Sequence, residues 1–324
     1  MQDDTQIQRM VGKSAEALIS IIIPAFNEEK SIESTIRKIY QVLSTIHQDV
    51  EIIVVDDGSL DRTFEIISDL HKEFQNLKVL QFSRNFGKEA AILAGLKAAR
   101  GEAVITIDAD LQHPPTLIPQ MIEMWRNGSK VVHAVKRNRD NDNIFIRWRA
   151  AAYNNLLVWL GGVDLRNSSD FKLLDRIAVN VIVKELREHK RFYRGLARWL
   201  GFQQESVFFD IASRDSGESK WSIRSLIGLA ITGIISFSGM PLRVVSVMGF
   251  LTLILAFFVT ADTLWSWFRG TAVSGFATIV ITLLLIGSFI MISLGILGEY
   301  VAKIYEEIKG RPNYLINKTI GFED

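Results

Sequence analysis

The sequence predicts an α/β domain built on a mostly parallel sheet, followed by a membrane module. Three observations carry that expectation. Apolar, β-branched runs alternate with segments of helical period through the first third of the chain. Acids, bases and amides gather just after four of those runs. Far downstream, residues 276–298 form a stretch of 23 positions without a charge.

The first run, "LISIIIPAF", is apolar on both faces and ends beyond a proline, as a buried strand does. "NEEKSIESTIRKIYQVLSTI" follows, with Ile32, Ile36, Ile39, Tyr40 and Leu43 at helical spacing and glutamates in the first turn. "VEIIVVDDGS" predicts a second strand, "DRTFEIISDLHKEF" a second helix and "LKVLQFS" a third strand. "KEAAILAGLKAAR" predicts a third helix closed by Gly101, and "EAVITIDAD" a fourth strand. This βαβαβαβ order implies a parallel sheet covered by helices on both faces. In such sheets ligands bind beyond the carboxyl ends of the strands. Asn27 and Glu28, Asp56 and Asp57, Arg84 and Lys88, and Asp108 and Asp110 all fall there.

The chain has 324 residues, a net charge of +1 and no cysteine. A disulfide framework, a thiolate metal site and a cysteine nucleophile are therefore excluded. No global field points to nucleic acid. Residues 1–17 hold acids and no apolar core, so they predict a disordered lead-in rather than a signal peptide. No G-x-x-x-x-G-K-[ST] is present, and no G-x-G-x-x-G follows the first strand, which argues against a P-loop and a dinucleotide site.

Residues 244–264 and 276–298 predict two transmembrane helices, since about 20 apolar residues cross a ~30 Å hydrocarbon core. Arg243 precedes the first, and Lys303, Lys309 and Arg311 follow the second, while the link between them holds only Arg269. That bias places the N-terminal domain, 18–218, and the tail, 301–324, in the cytoplasm of a multi-pass protein of the inner (plasma) membrane. Residues 219–240 place Lys220 and Arg224 ahead of an apolar stripe and predict an amphipathic helix in the headgroup layer. A helix packed on the domain explains the same stripe. Gly287, Gly295 and Gly298 permit close helix packing, and homo-oligomers are expected.

"DADLQHPP" puts two carboxylates one residue apart and an amide two further on. In an extended chain Asp108, Asp110 and Gln112 share a face, and a hard divalent cation, Mg²⁺ or Mn²⁺, prefers those oxygens. Helix capping or pairing with arginines accounts for the acids equally well on spacing alone. His113 and His133 read first as ordinary polar neighbours.

The set "IIIPAFNEE", "EIIVVDDGSLDRT", "SRNFGKEAAILAGLKAARG" and "DADLQHPP" resembles the nucleotide-sugar half of family-2 glycosyltransferases of the GT-A fold, a Rossmann-like mostly parallel sheet. "NSSDFKLLDR", "FYRGLARWLGF", "SRDSGESKWS" and "GIISFSGMPLR" extend the likeness to polyisoprenyl-phosphate glycosyltransferases, and two spans look more like the bacterial bactoprenol glucosyltransferases than dolichol-phosphate mannose synthase. The resemblance implies that Asp110 and Gln112 hold the metal, with Asp108 beside the ribose and diphosphate. It places Pro24, Asn27 and Glu28 in the first nucleotide-binding loop, Asp56 and Asp57 at base and ribose, and Lys88 near a phosphate. It makes Asp170 of "SDFKL" a base or an orienting group, with inversion at the anomeric carbon. Lys172 stands there where arginine is common and loses the bidentate fork. The implied partners are a nucleotide sugar, UDP-glucose before GDP-mannose, and undecaprenyl phosphate. An acceptor phosphate needs cations, and Arg147, Arg149, Lys172, Arg214 and Lys220 are the candidates. "RGLARWL" ends like the Q-x-x-R-W of processive synthases, but Gly195 replaces the glutamine.

Overall fold

The computed structural model describes residues 17–46, 48–136, 168–186, 188, 193–209, 240–270 and 275–322. The lead-in before Ala17, the amphipathic segment up to residue 239, and Arg147, Arg149, Arg214 and Lys220 lie outside the described residues.

The described residues form two compact units. The first is a three-layer α/β domain. Its strands are β1 (Ile19–Ala25), β2 (Val50–Asp56), β3 (Leu77–Phe82), β4 (Ala103–Thr106), β5 (Val131–Lys136), β6 (Ser168–Asp175), β7 (Gln204–Phe209) and β8 (Ile316–Ile320). Helices α1 (Ile32–Leu43), α2 (Thr63–Glu73), α3 (Lys88–Ala98), α4 (Ile118–Arg126), α5 (Arg176–Asn180) and α6 (Tyr193–Trp199) accompany them. The sheet order is β7-β5-β6-β4-β1-β2-β3-β8. Its centre, β4-β1-β2-β3, is wholly parallel, as the sequence predicts. Antiparallel pairs β4/β6, β5/β6 and β3/β8 make the whole sheet mixed.

β1 shows why its sequence is apolar throughout. Ile19, Ile21 and Ile23 enter the core under α1, α2 and α4. Ile22 turns to the opposite core under α3 and α5. A strand covered on both faces has no polar side to alternate with. At Gly95 of α3 a Cβ would stand 2.3 Å from the Ile22 side chain, so this glycine sets how closely the helix lies on the sheet.

Two details depart from expectation. β4 stops at Thr106, and the segment beyond it turns rather than extends. The segment expected as a tail, 301–324, also contains a strand. Residues 316–320 form β8, antiparallel to β3, with Leu80 opposite Thr319 and Gln81 opposite Lys318. Tyr314 anchors the strand by stacking on Phe82, with ring centroids 4.9 Å apart.

The second unit holds α7 (Met240–Phe268) and α8 (Phe276–Ile308), of 29 and 33 residues. At about 1.5 Å per residue both exceed a ~30 Å hydrocarbon core. Val244–Phe268 and Ile281–Ile308 each have a mean hydropathy of 2.4 and bury none of their most apolar stretch within the protein. The two helices are therefore long and apolar enough to cross a membrane, and their surfaces expose Phe257, Leu283 and Met291 rather than a polar face.

Candidate active site

The loops after β1 and β2 are knitted into one wall. Asn27 has a φ of 54°, a left-handed conformation that asparagine tolerates better than most residues. Its N–H donates to Ser59 Oγ at 2.9 Å, and its Oδ1 accepts from the Leu60 N–H at 2.9 Å. The Glu28 N–H donates to Thr63 Oγ1 at 2.8 Å. In the "DDGS" turn Gly58 has a φ of 69°, and a Cβ there would sit 2.4 Å from the Arg84 carbonyl carbon. Only glycine lets the third loop close against the second.

Asp57 holds that third loop. Its carboxylate accepts from the N–H groups of Phe86 at 2.7 Å and Gly87 at 2.9 Å. Burial raises its pKa above the ordinary value, against those two donors. Asp56 is 0 % exposed, and its carboxylate accepts from the Ser59 N–H at 3.1 Å and from Gln81 Nε2 at 3.1 Å. The expectation that Asp56 meets the base or ribose is therefore corrected: it braces the turn from beneath, while Asp57 reaches the cavity.

That cavity, of about 270 Å³, opens beyond the carboxyl ends of the central strands. It is lined by Pro24, Ala25, Phe26, Glu28, Asp57, Asn85, Gly87, Lys88, Ala91, Asp108, Ala109 and Asp110.

The metal-motif segment reaches it by an unexpected route. Leu111 has a φ of 57°, a strained setting for a branched side chain, so Asp108, Asp110 and Gln112 are not the alternating face of an extended chain. The turn instead brings one donor atom each from Asp108, Asp110 and His113 within 4.8 Å of one another. The Gln112 N–H donates to Asp110 Oδ1 at 3.1 Å. His113 Nδ1 is buried and has no hydrogen-bond partner among the described residues. Two carboxylates and an unpartnered imidazole nitrogen fit a divalent cation.

Lys88, the first residue of α3, stands between acids. Its Nζ lies 2.5 Å from Asp108 Oδ1 and 2.6 Å from Asp170 Oδ2. Burial opposes its charge, but the two carboxylates outweigh burial and hold its pKa above the ordinary value. Asp170, on β6, also receives a two-pronged hold from Arg194, with Nε 2.7 Å from Oδ1 and Nη2 2.8 Å from Oδ2. Burial resists its ionisation, yet Arg194 and Lys88 prevail and keep the carboxyl far below the usual range. A carboxylate so held is a poor proton acceptor and a firm anchor.

Beneath this cluster lies Lys172, expected at the acceptor phosphate. The structure corrects that reading. Lys172 is 0 % exposed, its ammonium lies 5.0 Å from the Tyr193 ring centre, and burial lowers its pKa to about 7. It supports the site from below. Sequence reasoning missed Arg194, which lay in the quoted "FYRGLARWLGF", and Glu89, whose carboxylate accepts from the Tyr193 N–H at 2.9 Å. His133 pairs with Gln204 through Nε2 at 2.8 Å, away from the donor cluster.

The chain is similar to several known proteins. A family model described as "Glycosyl transferase family 2" matches residues 20–185. An uncharacterized glycosyltransferase of Synechocystis sp. is 38% identical over 310 residues, covering 94% of this chain and 96% of its own. A prophage-derived bactoprenol glucosyl transferase of Shigella flexneri is 37% identical over 306 residues, covering 93% and 98%. Among solved structures, the glucosyl-3-phosphoglycerate synthase of Mycobacterium tuberculosis in complex with UDP is 22% identical, with a TM-score of 0.47, covering 69% of this chain and 79% of its own.

Proposed function

The chain belongs to glycosyl transferase family 2, and from that premise we propose that it moves one glucosyl unit from UDP-glucose to a polyisoprenyl phosphate at a membrane surface. The observation that carries the lipid acceptor is the match, over 93% of the chain, to a relative named for glucosyl transfer to bactoprenol. Two helices long and apolar enough to span a bilayer accord with such an acceptor.

Asp110 and Asp108, with His113 or Gln112, hold the divalent ion, which when bound neutralises charge on the departing diphosphate. Pro24, Glu28 and Asp57 line the donor's cavity, and Asn27 fixes the shape of its first loop. An acceptor phosphate is already anionic near neutral pH and needs no strong base. An oxygen of that phosphate bonds to the anomeric carbon with inversion, and the bond from that carbon to the diphosphate breaks, its electron pair leaving on UDP. Asp170 acts in this reading as the anchor that keeps Lys88 and Arg194 in place, and those two cations lower the repulsion between the anions. Arg147, Arg149, Arg214 and Lys220 remain proposed acceptor contacts, and the cytoplasmic face of the inner membrane the proposed location.

Incubation of the purified chain with labelled UDP-glucose and undecaprenyl phosphate is expected to give one labelled lipid. A long polymer would mean a processive synthase. Transfer from GDP-mannose alone would mean a mannosyl transferase. Chelation, or Asp110→Asn, is expected to lower turnover at least ~100-fold, and full activity in both would remove the metal from the scheme.

A further inference from the structure

We propose that His113 is a protein ligand of the divalent ion through Nδ1, and that this nitrogen makes the site prefer Mn²⁺ to Mg²⁺. The proposal rests on the metal reading above and goes further by naming a ligand and the ion it selects.

The geometry begins in the sequence. Residues before proline are pushed toward extended backbone, and His113 precedes Pro114-Pro115. The ring is then held edge-on between two aromatic side chains, Phe171 with centroids 5.7 Å away and Phe209 at 5.5 Å. This fixes the direction of Nδ1. The atom is buried, yet no N–H or O–H within the described residues donates to it and no oxygen accepts from it. A buried ring nitrogen without a partner costs about 1–3 kcal/mol unless something else satisfies it.

Asp108 Oδ2 lies 3.6 Å from His113 Nδ1. That is too long for a hydrogen bond. It is close to the ~3–3.5 Å that separates two adjacent donors on one cation when each bond is about 2.1 Å. Asp108 has its other oxygen on Lys88, so Oδ2 is the one left to share an ion with His113 and Asp110.

The selectivity follows from ligand chemistry. Mg²⁺ demands hard oxygen donors and keeps its waters, whereas imidazole nitrogen suits transition ions better. A site of carboxylates alone would give Mg²⁺ no such handicap.

The test uses the full chain in detergent, with any purification tag removed, Mn²⁺ as the probe, and pulsed electron paramagnetic resonance. A nitrogen coupling to Mn²⁺ is expected, shifted when histidine is labelled with ¹⁵N, kept in His133→Ala and absent in His113→Ala. Direct titration should show Mn²⁺ affinity falling on the order of tenfold in His113→Ala, with Mg²⁺ affinity changed less than about twofold. Mn²⁺ bound by the natural chain without a histidine coupling, or a coupling that survives His113→Ala, overturns the proposal and leaves the metal reading intact. Failure of the natural chain to bind Mn²⁺ overturns both. The isotope shift is read on the natural chain, so the test holds even where a variant fails to fold.

Discussion

Lys88 and Arg194 grip Asp170 from two sides, and the consequence is measurable as acid sensitivity. The pKa of Asp170 is held far below its ordinary value, so its contribution to stability is present above an unfolded value near 3.9 and lost as pH falls below that. Arg194→Ala leaves the carboxylate with Lys88 alone. Denaturant titration at pH 7 is expected to show a loss of about 1–3 kcal/mol, discounted because Arg194 is part-exposed. The steep loss below pH 4 should become shallower than in the natural chain. Glu89 has the opposite sign. Burial raises its pKa to about 7, so the folded state binds the proton more tightly than the unfolded one. Stability therefore falls as pH rises from about 4.5 to 7 and stays low above. Glu89→Gln is expected to flatten that slope and to raise the melting temperature at pH 8, by on the order of 1–2 kcal/mol in stability. An unchanged slope would mean that Glu89 is ionised throughout. These pairings were only half legible in the sequence. Asp108, Asp110 and Lys88 stood out because they follow an apolar run or open a helix. Arg194 did not, because it lies 24 residues beyond its partner, in a segment whose helical period says nothing about which acid it will meet.

The central strands were legible because burial on both faces leaves a continuous apolar run. The turn after β4 was not: nothing about a leucine announces a φ of 57°, which the chain accepts only because surrounding contacts impose it. β8 was hidden for another reason. Ile316–Ile320 is short and mostly exposed, and it looks like any polar terminus until an edge offers it hydrogen bonds. Its hold on β3 depends on Tyr314, which stacks on Phe82 and lies 5.4 Å from the Lys97 ammonium. Tyr314→Ala is expected to cost about 2–3 kcal/mol in chemical denaturation, the lower part of the range for a large aromatic because the ring is only partly buried. Hydrogen exchange should rise first at the amides of β8. If exchange there is already as fast as in an unfolded chain, the strand is not held in solution and the loss should vanish.

One sheet contains strands from both sides of the two long apolar helices, and that restricts how the chain can meet a membrane. β1 to β7 precede α7, and β8 follows α8. Since β3 and β8 share hydrogen bonds, a chain that crosses a bilayer through these helices enters and leaves it on the same side. An even number of crossings is thus demanded by the fold, independently of the excess of Lys and Arg outside the hairpin. The chain has no cysteine, so single cysteines are clean reporters. In sealed vesicles, Lys30→Cys in the sheet domain and Thr319→Cys in β8 are expected to react with a membrane-impermeant thiol reagent from one side. Arg269→Cys, between the two helices, should react only from the other. Opposite-side labelling of Lys30→Cys and Thr319→Cys would mean that β8 leaves the sheet in the membrane. Same-side labelling of all three would mean that the helices lie on the bilayer without crossing it. The intermediate result, with Arg269→Cys alone on the far face, is the only one compatible with both the paired strands and two spans.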